Sequence, residues 1–108
     1  MNLGPLISRM QMEKVLGYLA AGSAEGADLA VGGRRIEGDL AEGYFVEPTI
    51  FANVTNDMRI AREEIFGPVI SVIPFDDPEE ALAMANDTDY GLGGAVWTRN
   101  LATAMAMA

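Results

Sequence analysis

The chain reads as α/β, with a mainly parallel sheet flanked by helices. Three observations carry that reading. Helical and strand-like patterns alternate along the chain, which is the signature of strand–helix–strand units. Residues 69–75 hold Val69, Ile70, Val72, Ile73 and Phe75, an almost unbroken apolar run, as expected of a strand covered on both faces in a parallel sheet. Asp77-Pro78-Glu79-Glu80 follows at once, combining an N-cap, a proline at the first helical position and a capping-box glutamate.

Taken in order, Ser8 and Gln11 have the spacing of a capping box. Met12, Val15, Leu16, Leu19 and Ala20 then recur at helical spacing, predicting a helix over 9–21 stopped by Gly22. Residues 28–31 form a short strand closed by Gly32-Gly33. Residues 34–43 are polar and glycine-containing, as in a loop or hairpin excursion. Residues 44–46 alternate into Glu47-Pro48, where proline suits a strand start or edge. Residues 49–54 are β-branched and aromatic and make a strand. Thr55-Asn56-Asp57 is a cap cluster before one or two helical turns at 58–64, which Gly67-Pro68 terminates. After the strand at 69–75 comes the helix begun at Asp77, with Ala81, Leu82, Met84 and Ala85 as its apolar stripe. Residues 86–91 are a turn cluster, 93–98 a strand centred on Ala95, Val96 and Trp97, and Asn100 caps a last helix over 101–108.

That last segment is rich in Ala and Met and shows no C-cap, basic residue or glycine at its end. A helix under about 12 residues is marginal alone. The expectation is therefore a fragment of a longer protein, one domain over 1–108 truncated at both ends.

Composition excludes several functions. The chain has 108 residues, 7 basic and 16 acidic, for a net charge of −9. Phosphate backbones need a positive face, so a nucleic-acid partner is not expected. No apolar run approaches the roughly 20 residues of a membrane span, and no leader pattern is visible, so a cytoplasmic location and no membrane partner are expected. With no Cys and no His in the chain, thiolate and imidazole metal sites, cysteine nucleophiles and Ser–His pairs are excluded here. No metal and no catalytic residue is assigned.

The stretch that draws attention is Glu63-Glu64-Ile65-Phe66-Gly67-Pro68-Val69. Adjacent glutamates are commonly a solvated helix end, and a phenylalanine is commonly core. Yet glutamates at a helix C-terminus oppose its dipole, and local conflicts of that kind are where function concentrates. An acidic corner beside an aromatic suits a ligand with hydroxyls on one side and a flat ring on the other. Gly32-Gly33 lacks a following helix and Gly91-Leu92-Gly93-Gly94 precedes a strand, so neither matches the dinucleotide fingerprint. The methionines fall mostly on apolar helix positions and read as core filling rather than metal ligands.

Collinear blocks resemble the NAD(P)-dependent aldehyde dehydrogenase superfamily. They are Gly4-Pro5-Leu6-Ile7-Ser8, Gly43-Tyr44-Phe45-Val46-Glu47-Pro48-Thr49-Ile50-Phe51, Asn53-Val54, Met58 through Val69, Ala85-Asn86, Tyr90-Gly91-Leu92 and Val96-Trp97-Thr98. The resemblance covers nearly the whole chain and implies an incomplete aldehyde dehydrogenase catalytic domain. It implies two cofactor-binding residues: Glu64, accepting hydrogen bonds from the nicotinamide ribose hydroxyls, and Phe66, packing on the ribose and nicotinamide. It further implies oxidation of an aldehyde to a carboxylate through a cysteine thioester, with NAD or NADP as hydride acceptor, in a homo-oligomer. The family's cysteine, general-base glutamate, oxyanion asparagine and glycine-rich cofactor domain have no counterpart in these residues. The isolated chain is therefore expected to be inactive and to bind no cofactor. Hydrolytic and CoA-acylating variants both stay open. The other reading is a non-enzymatic, self-associating module derived from the same fold, since unpaired sheet edges invite association.

Overall fold

A computed structural model describes residues 3–108. The chain divides into two compact units, Met1–Pro74 and Phe75–Ala108.

The first unit is built on helix α1, Arg9–Ala24, and a three-stranded sheet. Ser8 starts α1 as expected: its Oγ accepts from the Gln11 amide at 3.1 Å. The helix outruns its expected stop at Gly22. A Cβ placed on Gly22 would lie 3.0 Å from Ile60 Cδ1 and from Phe51 Cζ, so this glycine is a packing point. The stop comes at Gly26, whose φ of +98° is glycine territory, and Ala27 N donates back to the Gly22 carbonyl.

Strand β1, Asp28–Val31, pairs antiparallel with β2, Thr49–Ala52. β2 pairs parallel with β3, Val69–Ser71. A parallel pairing needs a crossover connection, and here it contains the short helix α2, Arg59–Arg62. The sheet order is thus β1-β2-β3 with β2 central. The excursion between β1 and β2 holds a 3-10 turn, Gly38–Leu40, and one bridge, Arg35 to Val46.

The core lies where one face of α1 meets this sheet. Met12, Val15, Tyr18 and Leu19 pack with Phe51, Val54, Met58 and Ile60, all buried. Phe51 and Val15 are completely covered. The cap cluster before α2 behaves differently from expectation. Thr55 Oγ1 donates to the Asp57 carboxylate, and Met58 at the N-cap gives no side-chain cap. Glu25 supplies the acceptor instead, taking the Arg59 amide at 3.1 Å.

The second unit contains α3, Pro78–Asn86, and α4, Leu101–Met107. Asp77 Oδ1 accepts the Glu80 amide at 2.8 Å, and Glu80 Oε2 reaches back to the Asp76 amide at 2.7 Å. Asn100 caps α4 through Thr103 N at 3.2 Å. The strand expected over 93–98 does not form; Leu92 is 95% exposed and Trp97 94%. A strand needs a neighbour for its backbone groups, and among the described residues the second unit holds no strand for this segment to pair with. The strand expected over 69–75 is also shorter than its apolar run: it ends at Ser71, Val72 still donates to the Phe51 carbonyl at 2.8 Å and accepts from the Val54 amide at 3.2 Å, and Ile70 and Val72 are exposed.

Candidate functional site

The segment 63–69 leaves α2 and enters β3. α2 is only four residues long, and its C-cap, Glu63, is already extended. Glu64 therefore stands beyond the helix, in irregular chain.

The two glutamates have separate fates. Glu63 is engaged on both oxygens. Tyr18 Oη donates to its Oε2 at 2.7 Å, and Arg59 donates from Nε at 3.3 Å and Nη2 at 3.4 Å. The Arg59 guanidinium, then the Tyr18 hydroxyl, hold the Glu63 carboxyl below the usual carboxylate range. Arg59 is pushed upward in turn by Glu63. Arg59 also lies over the Tyr18 ring, 5.4 Å from its centroid, a cation–π arrangement. Glu64 is exposed, and among the described residues its carboxylate takes part in no hydrogen bond or ion pair. Of the acidic pair, Glu63 is consumed by the fold and Glu64 keeps its acceptor capacity.

Phe66 pairs two unfavourable features. The residue is 73% exposed, and its φ is +54°. Among the described residues only Asn53 shares such a φ without being glycine. Asparagine tolerates that conformation; for a bulky residue it costs roughly 1–2 kcal/mol. Strain of this kind persists only where the surroundings over-determine it. They do so here. Gln11 Nε2 donates to the carbonyls of Ile65 at 3.0 Å and of Phe66 at 3.1 Å. Gly67 lies so close to α1 that a Cβ would sit 2.6 Å from Val15 Cγ2. The Pro68 carbonyl accepts from Thr49 N at 2.8 Å, delivering the chain into β3.

A free carboxylate and an exposed ring two residues apart thus stand on a clamped backbone. Both groups have the chemistry to receive a ribose and an aromatic ring: acceptor oxygens for hydroxyls, and a flat apolar face. The sequence singles out Glu64 and Phe66 but not Gln11, Tyr18 and Arg59, which contact the same segment. The i, i+4 and i, i+7 spacing of Gln11, Val15 and Tyr18 on one face of α1 is the signal for Gln11 and Tyr18; Arg59, on α2, has none beyond its i, i+4 spacing to Glu63.

The second unit offers a cleft of about 290 Å³ between α3 and α4, lined mainly by apolar groups such as Leu82 and Met107, with Glu79 as its ionisable residue. Among the described residues no cluster of three metal-ligating side chains occurs, and no helix is long and apolar enough to cross a membrane.

A sequence model of the aldehyde dehydrogenase family matches residues 1–108. The chain is 56% identical, over 95% of its length, to a betaine aldehyde dehydrogenase of Agrobacterium fabrum, of which it covers 21%. Two solved structures superpose closely on it. One is a Mycobacterium tuberculosis aldehyde dehydrogenase complexed with NAD+, at TM-score 0.92 and 52% identity, covering 98% of this chain and 22% of that one. The other is an indole-3-acetaldehyde dehydrogenase, also with NAD+, at TM-score 0.93 and 54% identity, covering 99% and 21%. The chain thus spans about a fifth of the length of the proteins it matches.

Proposed function

The chain belongs to the aldehyde dehydrogenase family, and from that premise we propose that it is part of the catalytic domain of an enzyme that oxidises an aldehyde to a carboxylate with NAD(P)+. Its own contribution is one wall of the cofactor site. The observation that carries this reading is the division of labour within the acidic pair: Glu63 is spent on Tyr18 and Arg59, while Glu64 is exposed and uncommitted. The likeness to two NAD+ complexes over nearly the full chain supports it.

The residues present fit the nicotinamide half of the cofactor. Glu64 would accept hydrogen bonds from the ribose hydroxyls, and Phe66 would cover the ribose and nicotinamide. Glutamate is suited to that role because a diol offers two donors and a carboxylate two acceptor oxygens. When bound, NAD(P)+ supplies the hydride acceptor. Gln11, Val15 and Gly67 keep the backbone beneath these two side chains in place, so the orienting entropy is spent during folding rather than at binding. The thiolate that the thioester route needs is not among these residues, which contain no Cys.

The isolated chain should therefore leave aldehydes unchanged. Incubated with NAD+ and a panel of aldehydes, it is expected to give no NADH absorbance above a buffer blank; steady turnover would overturn the assignment of this chain as a partial site. The reading extends to the whole enzyme through a spliced protein, in which these residues replace the matching segment of the Agrobacterium relative. That protein should be active, with NAD+ affinity sensitive to Glu64.

A second reading, a self-associating module without catalysis, is favoured by the exposed Ile70 of β3, by the exposed Val72 just beyond it and by the exposed Trp97. Edge strands with apolar side chains recruit partners. Light scattering across concentrations tests it: dimers or larger species support it, and a monomer throughout contradicts it.

A further inference from the structure

We propose that Gln11 is a positioning residue for the cofactor segment: its side-chain amide, reaching from α1, sets the backbone on which Glu64 and Phe66 stand. The functional half of this inference rests on the reading of Glu64 and Phe66 given above; its geometric half does not.

Gln11, Val15 and Tyr18 fall at i, i+4 and i+7, a single stripe of α1. Each meets a different part of the same short segment. Tyr18 holds the Glu63 carboxylate, Val15 fills the space above Gly67, and Gln11 donates to the carbonyls of Ile65 and Phe66. The stripe grips residues 63, 65, 66 and 67 and leaves the carboxylate of Glu64 ungripped.

Gln11 is the polar member of that stripe whose partners are backbone atoms. At the third position after Ser8, a capping-box glutamine would turn back to the Ser8 amide. Its amide spans 54 residues of sequence instead, to Ile65. The two carbonyls it serves lie outside helix and strand, where no ladder would otherwise satisfy them. They also flank the one strained aromatic residue of the segment, at φ +54°. Removing the two donors removes the tie that holds Phe66 in the left-handed region, where a phenylalanine does not rest unaided.

The test has two arms. In the first, NMR is recorded on the 108-residue chain and on Gln11→Met, which keeps length and apolarity and loses both donors. A left-handed residue shows an unusually strong nuclear Overhauser effect between its own amide and α protons. Gln11→Met is expected to weaken that signal at Phe66 to an ordinary level, with Asn53 unchanged as an internal control and the core methyl shifts retained. An unaltered Phe66 signal in the folded variant would overturn the proposal. Should Gln11→Met fail to fold, the unsubstituted chain decides: the Gln11 side-chain amide protons are expected to exchange with water more slowly than those of exposed Asn86, and equal rates would overturn it.

The second arm uses the spliced enzyme. Gln11→Met is expected to raise the KM for NAD+ about fivefold, the scale of two lost neutral hydrogen bonds only partly replaced by water, with the aldehyde KM unmoved. Combined with Glu64→Gln, the two effects should fall short of their product, because both act on one contact. An NAD+ KM that responds to Glu64→Gln but not to Gln11→Met overturns the role of Gln11. One that ignores Glu64→Gln removes instead the reading of the site on which it rests.

Discussion

Val15 and Gly67 meet so closely that no side chain larger than hydrogen fits between them: a Cβ on Gly67 would lie 2.6 Å from Val15 Cγ2. Val15 is fully buried in the face of α1 and cannot withdraw into free space. The glycine of the Ile65-Phe66-Gly67-Pro68 run is thus fixed by packing against Val15, 52 positions earlier in the sequence. Gly67→Ala is expected to destabilise the chain by about 1–3 kcal/mol, the usual cost of overpacking. Urea denaturation checks it, and an unchanged midpoint would show that the segment sits more loosely on α1.

Phe66 carries backbone strain and little burial, so the fold gains little from it. Phe66→Asn places a residue that tolerates the left-handed region there. Chain stability is expected to rise by on the order of 0.5–1 kcal/mol, while the spliced enzyme loses affinity for NAD+. A fall in stability would mean that the ring contributes to folding.

Glu63 gives a pH dependence with a definite sign. Its carboxyl is depressed from 4.5 by Arg59 and Tyr18, so the folded state prefers it ionised. That contribution is fully present above the unfolded value of 4.5 and is lost as pH falls from there through the lower folded value. The Asp57 carboxyl is also held below its usual value, by its hydrogen bond from Thr55, so the comparison needed is with Glu63→Gln. Urea midpoints followed from neutral pH into the acid range should fall more steeply for the unsubstituted chain than for Glu63→Gln. Parallel curves would contradict the Tyr18–Glu63–Arg59 arrangement.

In the second unit, Asp77 is the N-cap of α3, with Glu80 as its partner in the box. Asp77→Ala is expected to cost about 1 kcal/mol in the stability of that helix, read as lost helical circular dichroism and faster amide exchange over Pro78–Asn86. No loss would mean that α3 is held by packing alone.

What the sequence made legible was local. Ser8, Asp77 and Asn100 cap the helices where their spacing says they should, because a cap is decided within four residues. The apolar stripe of α1 was equally plain. Relations between distant segments were not. Gly22 looked like a stop and is a contact point for Phe51 and Ile60. Gln11 looked like half of a capping box and holds Ile65 and Phe66. The strand over 93–98 was written into Ala95-Val96-Trp97, yet a strand exists only beside another, and composition does not supply the neighbour. Glu64 and Phe66 were singled out through the run that contains them. That Glu63 would be occupied and Glu64 left open depends on Tyr18, 45 residues away from Glu63, and no spacing within the run encodes it.

The central claim is that the uncommitted carboxylate of Glu64 receives the cofactor ribose, and its most direct measurement is the KM for NAD+ of the spliced enzyme with Glu64→Gln. Loss of charge-assisted acceptance is worth about 1.5–3 kcal/mol. The account therefore expects that KM to rise roughly tenfold or more, with the aldehyde KM and the thermal midpoint unchanged. An NAD+ KM equal to that of the unsubstituted enzyme would contradict it.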